Sequence, residues 1–239
     1  IHKRYNWRYA MFKAVIFDIG HTLIESRNPL NWSKLYRPAF ENIADKYGYH
    51  FTEQQYEHAG SVLTKYNTRI HPREEEVSST HIFTEILSGM DVPMEDMERV
   101  KKSFYSYFRQ DCAPFPEAEE ALKTLSDNGI VLGTLSDVPY GMDNEYALGD
   151  LSVLRKYMDY PFTSNDTGVR KPCAKGLQML SETMQIALSD IIFVGDEEKD
   201  MICGIRAGAY PVLINRKGTV KEYGQRREIR SLTELLDFI

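Results

Sequence analysis

A chain of 239 residues, 42% hydrophobic, 27% charged and 12% aromatic, has the composition of an ordinary globular protein, long enough for one large domain or two small ones. Its formal net charge of −6 offers no basic field to nucleic acid or to an anionic membrane, and no apolar run approaches the roughly 18 residues of a membrane span. Cys112, Cys173 and Cys203 are odd in number and widely spaced, which argues against a disulfide framework or a zinc site and fits a reducing, cytoplasmic setting.

The first ten residues, IHKRYNWRYA, are basic and aromatic without the apolar stretch of a signal peptide. They read as an extension, with Met11 as a natural start. A strand over 13–18 follows, then the loop ESRNPLNW and a long helical region. Tyr36, Phe40, Ile43 and Tyr47 fall on one face of a first helix. Thr52 and Gln55 form a capping box opening a second that runs towards Arg69. Ile82, Ile86 and Leu87 belong to a third helix. Met94, Met97, Val100, Phe104 and Phe108 mark a fourth, with Pro93 near its first turn. No strand signal interrupts 33–110, and these aromatic side chains read as core. Arg69, His71 and Arg73 form a basic cluster in what reads as a solvated loop.

From residue 116 strands and helices alternate. The spacing predicts a helix over 117–127, a strand IVLGTLS, a helix near 148–158, a strand over 161–164 and a helix over 174–185. Strand IIFVGD, helix 199–207 closed by Gly208, strand YPVLI and a short helix capped by Ser231 complete the order. This is the pattern of an α/β protein with a doubly wound parallel sheet covered on both faces. Ligands in such sheets bind beyond the C-terminal strand ends. There the sequence places Asp18, Ser136, Asp137 and Asp196, with Lys171 in the loop GVRKP. Gathered carboxylates repel by about 4 kcal/mol per pair at 4 Å and an effective dielectric near 20, unless a cation intervenes. An oxygen-rich set suits Mg²⁺. Asp196 and Asp200 stand four residues apart, on one face of a helix, Lys171 adds a positive charge and Ser136 a hydroxyl, a combination that favours a phosphate with Asp18 as nucleophile.

The four segments FDIGHT, TLSD, RKP and GDEEKD, in that order and each at a strand end, resemble the motifs of the haloacid dehalogenase superfamily of hydrolases. The resemblance runs from about Met11 to the C-terminus and implies a Rossmann-like core over 11–27 and 112–239 with a helical cap over 28–111, the linkers acting as hinges. It implies that Asp18 carries a phospho-aspartyl intermediate and that Thr22 orients it. Ser136 and Asp137 would bind phosphate, and Lys171 would bridge nucleophile and phosphate. Asp18, the Gly20 backbone carbonyl, Asp196 and Asp200 would hold Mg²⁺. The expected substrate is a small phosphorylated metabolite, with neither nucleic acid nor membrane as partner.

One position departs from the pattern. Phosphatases of this superfamily carry a second aspartate two residues after the nucleophile, as general acid and base; here the residue is Gly20. Its loss removes about 10² to 10⁴ in rate. The departure leaves a slow phosphatase restricted to good leaving groups, a binding or regulatory protein without turnover, or a dehalogenase-type hydrolase, which the GDEEKD segment disfavours. His21 is a candidate replacement acid.

Overall fold

The computed structural model describes residues 12–26, 31–108 and 112–239. The expected extension over 1–10 and the expected domain boundaries near 28 and 111 lie outside these residues. Six strands form one all-parallel sheet: β1 (Ala14–Phe17), β4 (Val131–Ser136), β5 (Tyr160–Thr163), β6 (Ile191–Gly195), β7 (Tyr210–Ile214) and β8 (Arg227–Ile229), in the order β5-β4-β1-β6-β7-β8. Two further short strands, β2 (Ile24–Ser26) and β3 (Cys112–Pro114), pair antiparallel, so the chain entering the helical region runs beside the chain leaving it. Sequence periodicity reveals neither these nor β8, each three residues long.

Side chains of β1 alternate between two cores, as a strand buried on both faces requires. Val15 and Phe17 join Leu122 and Leu125 of α5 (Ala118–Asp127), while Ala14 and Ile16 join Leu177 and Leu180 of α8 (Lys175–Met184) and Cys203 of α9 (Glu198–Ala207). Two short helices, α6 (Asn144–Ala147) and α7 (Ser164–Thr167), lie in the connections flanking β5. Central β1 is paired with β4 on one side and β6 on the other. The chain moves outward through β4 and β5 and then crosses back to β6, so the switch point falls at the end of β1.

The helical region contains α1 (Trp32–Tyr47), α2 (Glu53–Tyr66), α3 (Ser79–Ser88) and α4 (Met97–Phe108), the last preceded by a 3-10 turn, Met94–Asp96, after Pro93. Tyr36, Phe40 and Ile43 are buried as expected, and Tyr47 is half-buried. The Thr52–Gln55 capping box is present. α2 stops short of Arg69 because Asn67 leaves the helix, its side-chain oxygen accepting from the Arg69 amide at 2.9 Å in a local turn. Val138, Tyr140, Met142 and Tyr146, from the segment after β4, complete the core of these four helices. The loop between α2 and α3 is also tied to the sheet region: Glu75 bridges Val169, Arg170 N–H donates to the Glu74 carbonyl at 2.8 Å, and Glu76 N–H donates to that of Gly168 at 3.1 Å.

Two expected α-helices are instead 3-10 structure. Residues Gly149–Tyr157 form 3-10 turns broken at Ser152 (φ 50°, ψ −122°), in a stretch where glycine, aspartate and serine are weak helix formers. The C-terminal segment Leu232–Asp237 is a 3-10 helix, opened by the expected Ser231 cap with Glu234 completing a capping box. Among the described residues no helix is long and apolar enough to cross a membrane.

Candidate active site

Asp18 follows β1 directly, its N–H donating to the Val194 carbonyl at 2.8 Å. The pairings of Phe17 with Thr134 and Val194 set Asp18 level with Leu135 and Gly195, one step before Ser136 and Asp196. One oxygen from each of Asp18, Asp196 and Asp200 lies within 4.8 Å of the others. Lys171 reaches into this group: its Nζ donates to Asp18 Oδ1 at 2.5 Å and stands 2.6 Å from Asp200 Oδ1. Burial works against charge on Lys171, but Asp18, Asp200 and Asp137 outweigh it and hold the ammonium protonated well above its usual range. Asp200, which sequence alone allows to be a solvated helix start, is fully buried. Its other oxygen accepts from the Glu197 amide at 2.9 Å, completing a capping box at the start of α9. Burial, and then the charges of Asp18 and Asp200, push Asp196 up to about 7. A cation-free cluster therefore resists full ionisation. Asp200 Oδ1 is buried without an aligned hydrogen-bond donor. Three converging carboxylates facing a single ammonium suit a hard divalent cation.

A second network surrounds the first. The Asp137 carboxylate accepts from the Lys171 amide and from Lys199 Nζ, each at 3.0 Å, with Arg170 at 4.0 Å. Burial would raise Asp137, but Lys171, Lys199 and Arg170 prevail and keep its carboxyl below the usual range. An anion so committed braces the Lys171 loop. Arg69 Nη2 meets Glu197 Oε1 at 2.6 Å, which brings one member of the basic cluster to the site. Arg73 instead donates to the Tyr66 carbonyl at 2.9 Å, and His71 is exposed. Thr22 is buried with its hydroxyl unpartnered, while its carbonyl accepts from Arg216 Nη2 at 2.9 Å.

Above the strand ends lies a cleft of about 790 Å³, with Gly20, His21, Ser136 and Lys199 on the sheet side and Trp32, Tyr66 and Arg69 on the helical side. The sequence pattern passes over Lys199, hidden in an acidic run, and over Trp32, which reads as the end of the loop ESRNPLNW and is instead the first residue of α1. Phe108, read as core, belongs both to the helical core and to the cleft wall.

Gly195 explains part of this geometry. A Cβ at that position would overlap the Asp200 side chain, so glycine is what lets Asp200 approach the sheet. Gly195→Ala is expected to displace Asp200 and destabilise the protein by about 1–3 kcal/mol. It should also weaken divalent-cation binding at least about tenfold. Thermal melts with and without added cation measure both effects.

Comparison with known proteins agrees with this geometry. PpaX of Clostridium perfringens, whose name assigns it provisionally to the pyrophosphatases, is 25% identical over 203 residues, 83% of this chain and 82% of the relative. A HAD phosphatase from Thermococcus onnurineus superposes with a TM-score of 0.60 at 22% identity, over 95% of this chain and 97% of that one. A 2-haloacid dehalogenase from Pseudomonas syringae pv. Tomato superposes with a TM-score of 0.67 at 19% identity and the same coverage. One fold thus serves both chemistries, and the reaction has to be argued from side chains. The sequence model of the haloacid dehalogenase-like hydrolases matches residues 12–208, most of the chain: this protein belongs to that family.

Proposed function

We propose that this hydrolase is a Mg²⁺-dependent phosphatase of small phosphorylated molecules, with residues 28–111 as a helical cap over a core of 11–27 and 112–239. The observation that carries the reading is the buried Lys171 ammonium held between Asp18 and Asp200, with Asp196 alongside. A haloacid needs no acidic cation site, so the three-carboxylate cluster supports phosphoryl chemistry. Asp18, Asp196 and Asp200 would hold Mg²⁺, with the Gly20 carbonyl as a further ligand. Bound there, the ion would neutralise phosphate oxygens and offset the repulsion between substrate and Asp18.

In the first step a carboxylate oxygen of Asp18 attacks phosphorus, forming the Asp18–phosphorus bond as the ester oxygen departs with its electron pair. Lys171 holds Asp18 in place and offsets charge on the transferring group, and Ser136 and Thr22 offer hydroxyl donors to it. Water then attacks phosphorus, Asp18 leaves as a carboxylate, and dihydrogen phosphate carries away both protons of the water. Neither proton transfer has an aspartate to assist it, because position 20 is glycine.

The test is a panel of phosphate monoesters assayed with Mg²⁺ and with chelator. Turnover with Mg²⁺ that chelator abolishes is expected. At about ten times its dissociation constant Mg²⁺ adds about 1.4 kcal/mol of stability, or roughly 3–6 °C in Tm for a chain of this size. Asp196→Asn should lose that increment. Gly20 favours a second reading, phosphate binding without turnover, and a panel on which nothing is hydrolysed would select it.

A further inference from the structure

The chemistry of the cleft wall narrows the substrate. Among the described residues three basic side chains, Arg69, Lys199 and Arg170, line it besides His21, and each already faces a protein carboxylate. Arg69 pairs with Glu197 at 2.6 Å, and Lys199 with Asp137 at 3.0 Å and Glu197 at 3.1 Å. Arg170 is held by Glu76 and donates to the Val138 carbonyl at 2.7 Å. A second phosphate or carboxylate seated on any of these three would have to compete with the carboxylate already there. Two polar side chains of the helical wall are also engaged within the protein. Asn67 donates to Tyr36 Oη at 2.9 Å and accepts from the Arg69 amide, and Asn31 Oδ1 caps α1.

Apolar side chains remain, and Trp32 is the aromatic one among them that is not buried in the core. Trp32 is the first residue of α1, half-buried, and stacks on Phe108 with ring centroids 4.1 Å apart and 14° between planes. Tyr140 lies 5.7 Å from the same indole at 27°. Ile70, 49% exposed, also faces the cleft. A planar ring could lie against this indole, whose orientation Phe108 and Tyr140 already fix by packing.

We propose that the ligand of this cleft is a phosphate monoester of an aromatic group, its ring on the Trp32 wall and its phosphate at Asp18 and Lys171. This rests on the phosphatase reading and extends it from reaction to substrate class. It also meets the consequence of Gly20 from another direction. A phenolic oxygen departs as a stabilised anion and needs no acid, so the wall selects the esters that the catalytic group can cleave unaided.

Recognition is separated from leaving-group chemistry by ligands that have no leaving group. Benzylphosphonate and cyclohexylmethylphosphonate, titrated calorimetrically in the presence of Mg²⁺, differ only in the ring. Benzylphosphonate is expected to bind about two- to tenfold tighter, the ratio one ring–ring pair is worth. Trp32→Ala should abolish the difference and Trp32→Phe retain it. Trp32→Leu, which keeps apolar volume beside Phe108, should also abolish it and serves if the alanine variant folds poorly. Equal affinities in the wild type, or a preference untouched by Trp32→Leu, would overturn the aromatic site while leaving phosphatase activity intact. A ring preference in a protein that hydrolyses no phosphate ester supports the site and removes the reaction, so the two failures are distinct.

Discussion

Asp18→Asn will keep the fold and lose turnover by about 10⁴-fold or more. In the proposed mechanism the loss is that large because the residue supplies the bond to phosphorus, and nothing else in the cluster is placed to form it. Lys171 is already a cation, and Asp196 and Asp200 face the proposed ion site. The substitution is nearly isosteric, and an amide oxygen can still accept from Lys171 Nζ, now 2.5 Å from Asp18 Oδ1. Stability should change little. Three carboxylates with oxygens inside 4.8 Å repel one another, and removing one charge relieves that repulsion but also gives up the ion pair with Lys171, the two being of the same order at about 4 kcal/mol per close pair and an effective dielectric near 20. The metal-free variant should therefore melt close to the wild-type temperature. Steady-state hydrolysis of phenyl phosphate together with a thermal melt decides the matter. Wild-type turnover in a folded Asp18→Asn protein would exclude covalent catalysis at this residue.

That the strand-end residues of the cluster could be picked from sequence has a physical reason. A parallel strand buried on both faces is apolar until it ends, so Asp18, Ser136 and Asp196 stand out as the first polar residues after Ala14–Phe17, Val131–Leu135 and Ile191–Gly195. The sheet order then has only to set those ends side by side. The four helices were legible for a similar reason, because Tyr36, Phe40 and Ile43 keep the helical period and Thr52 and Gln55 mark a start.

What stayed hidden depends on contacts between distant segments. Lys199 lies in the run Glu197–Asp200, whose local pattern is that of any solvated helix start; only the fold sets it 3.0 Å from Asp137, 62 positions away. Arg69 meets Glu197 across 128 positions. The bridge between Glu75 and Val169 and the three-residue strands β2, β3 and β8 are too short to carry periodicity. The segment from Val138 to Tyr146 gave no sign that its apolar side chains would enter the core of the helices. Trp32 reads from sequence as the end of the loop ESRNPLNW, and its place on a cleft wall depends on Phe108, which lies 76 residues later in sequence.

Gly20→Asp should restore the missing acid, with a gain that depends on the leaving group. The backbone permits the change: Gly20 does not occupy the left-handed region, and a Cβ there would meet no heavy atom within 4 Å. A carboxyl at this position, two residues beyond the nucleophile and on the cleft, can protonate the departing oxygen and then take a proton from the attacking water. Alkyl phosphates, whose oxygens leave poorly as anions, should gain up to about 10² to 10⁴ in kcat/KM, while phenyl phosphate should gain little. Plotted against leaving-group acidity, the rate should be steep in the wild type and shallow in Gly20→Asp. His21 is the rival donor, exposed beside Gly20 at φ 55°. His21→Asn is the suitable probe, since asparagine tolerates a left-handed backbone better than alanine and cannot act as an acid near neutrality. A loss in His21→Asn confined to alkyl esters would assign the proton to the imidazole. Comparable wild-type rates on alkyl and aryl esters, unchanged by His21→Asn, would instead mean that another residue of the cleft or a group on the substrate supplies it, and that Gly20 limits nothing.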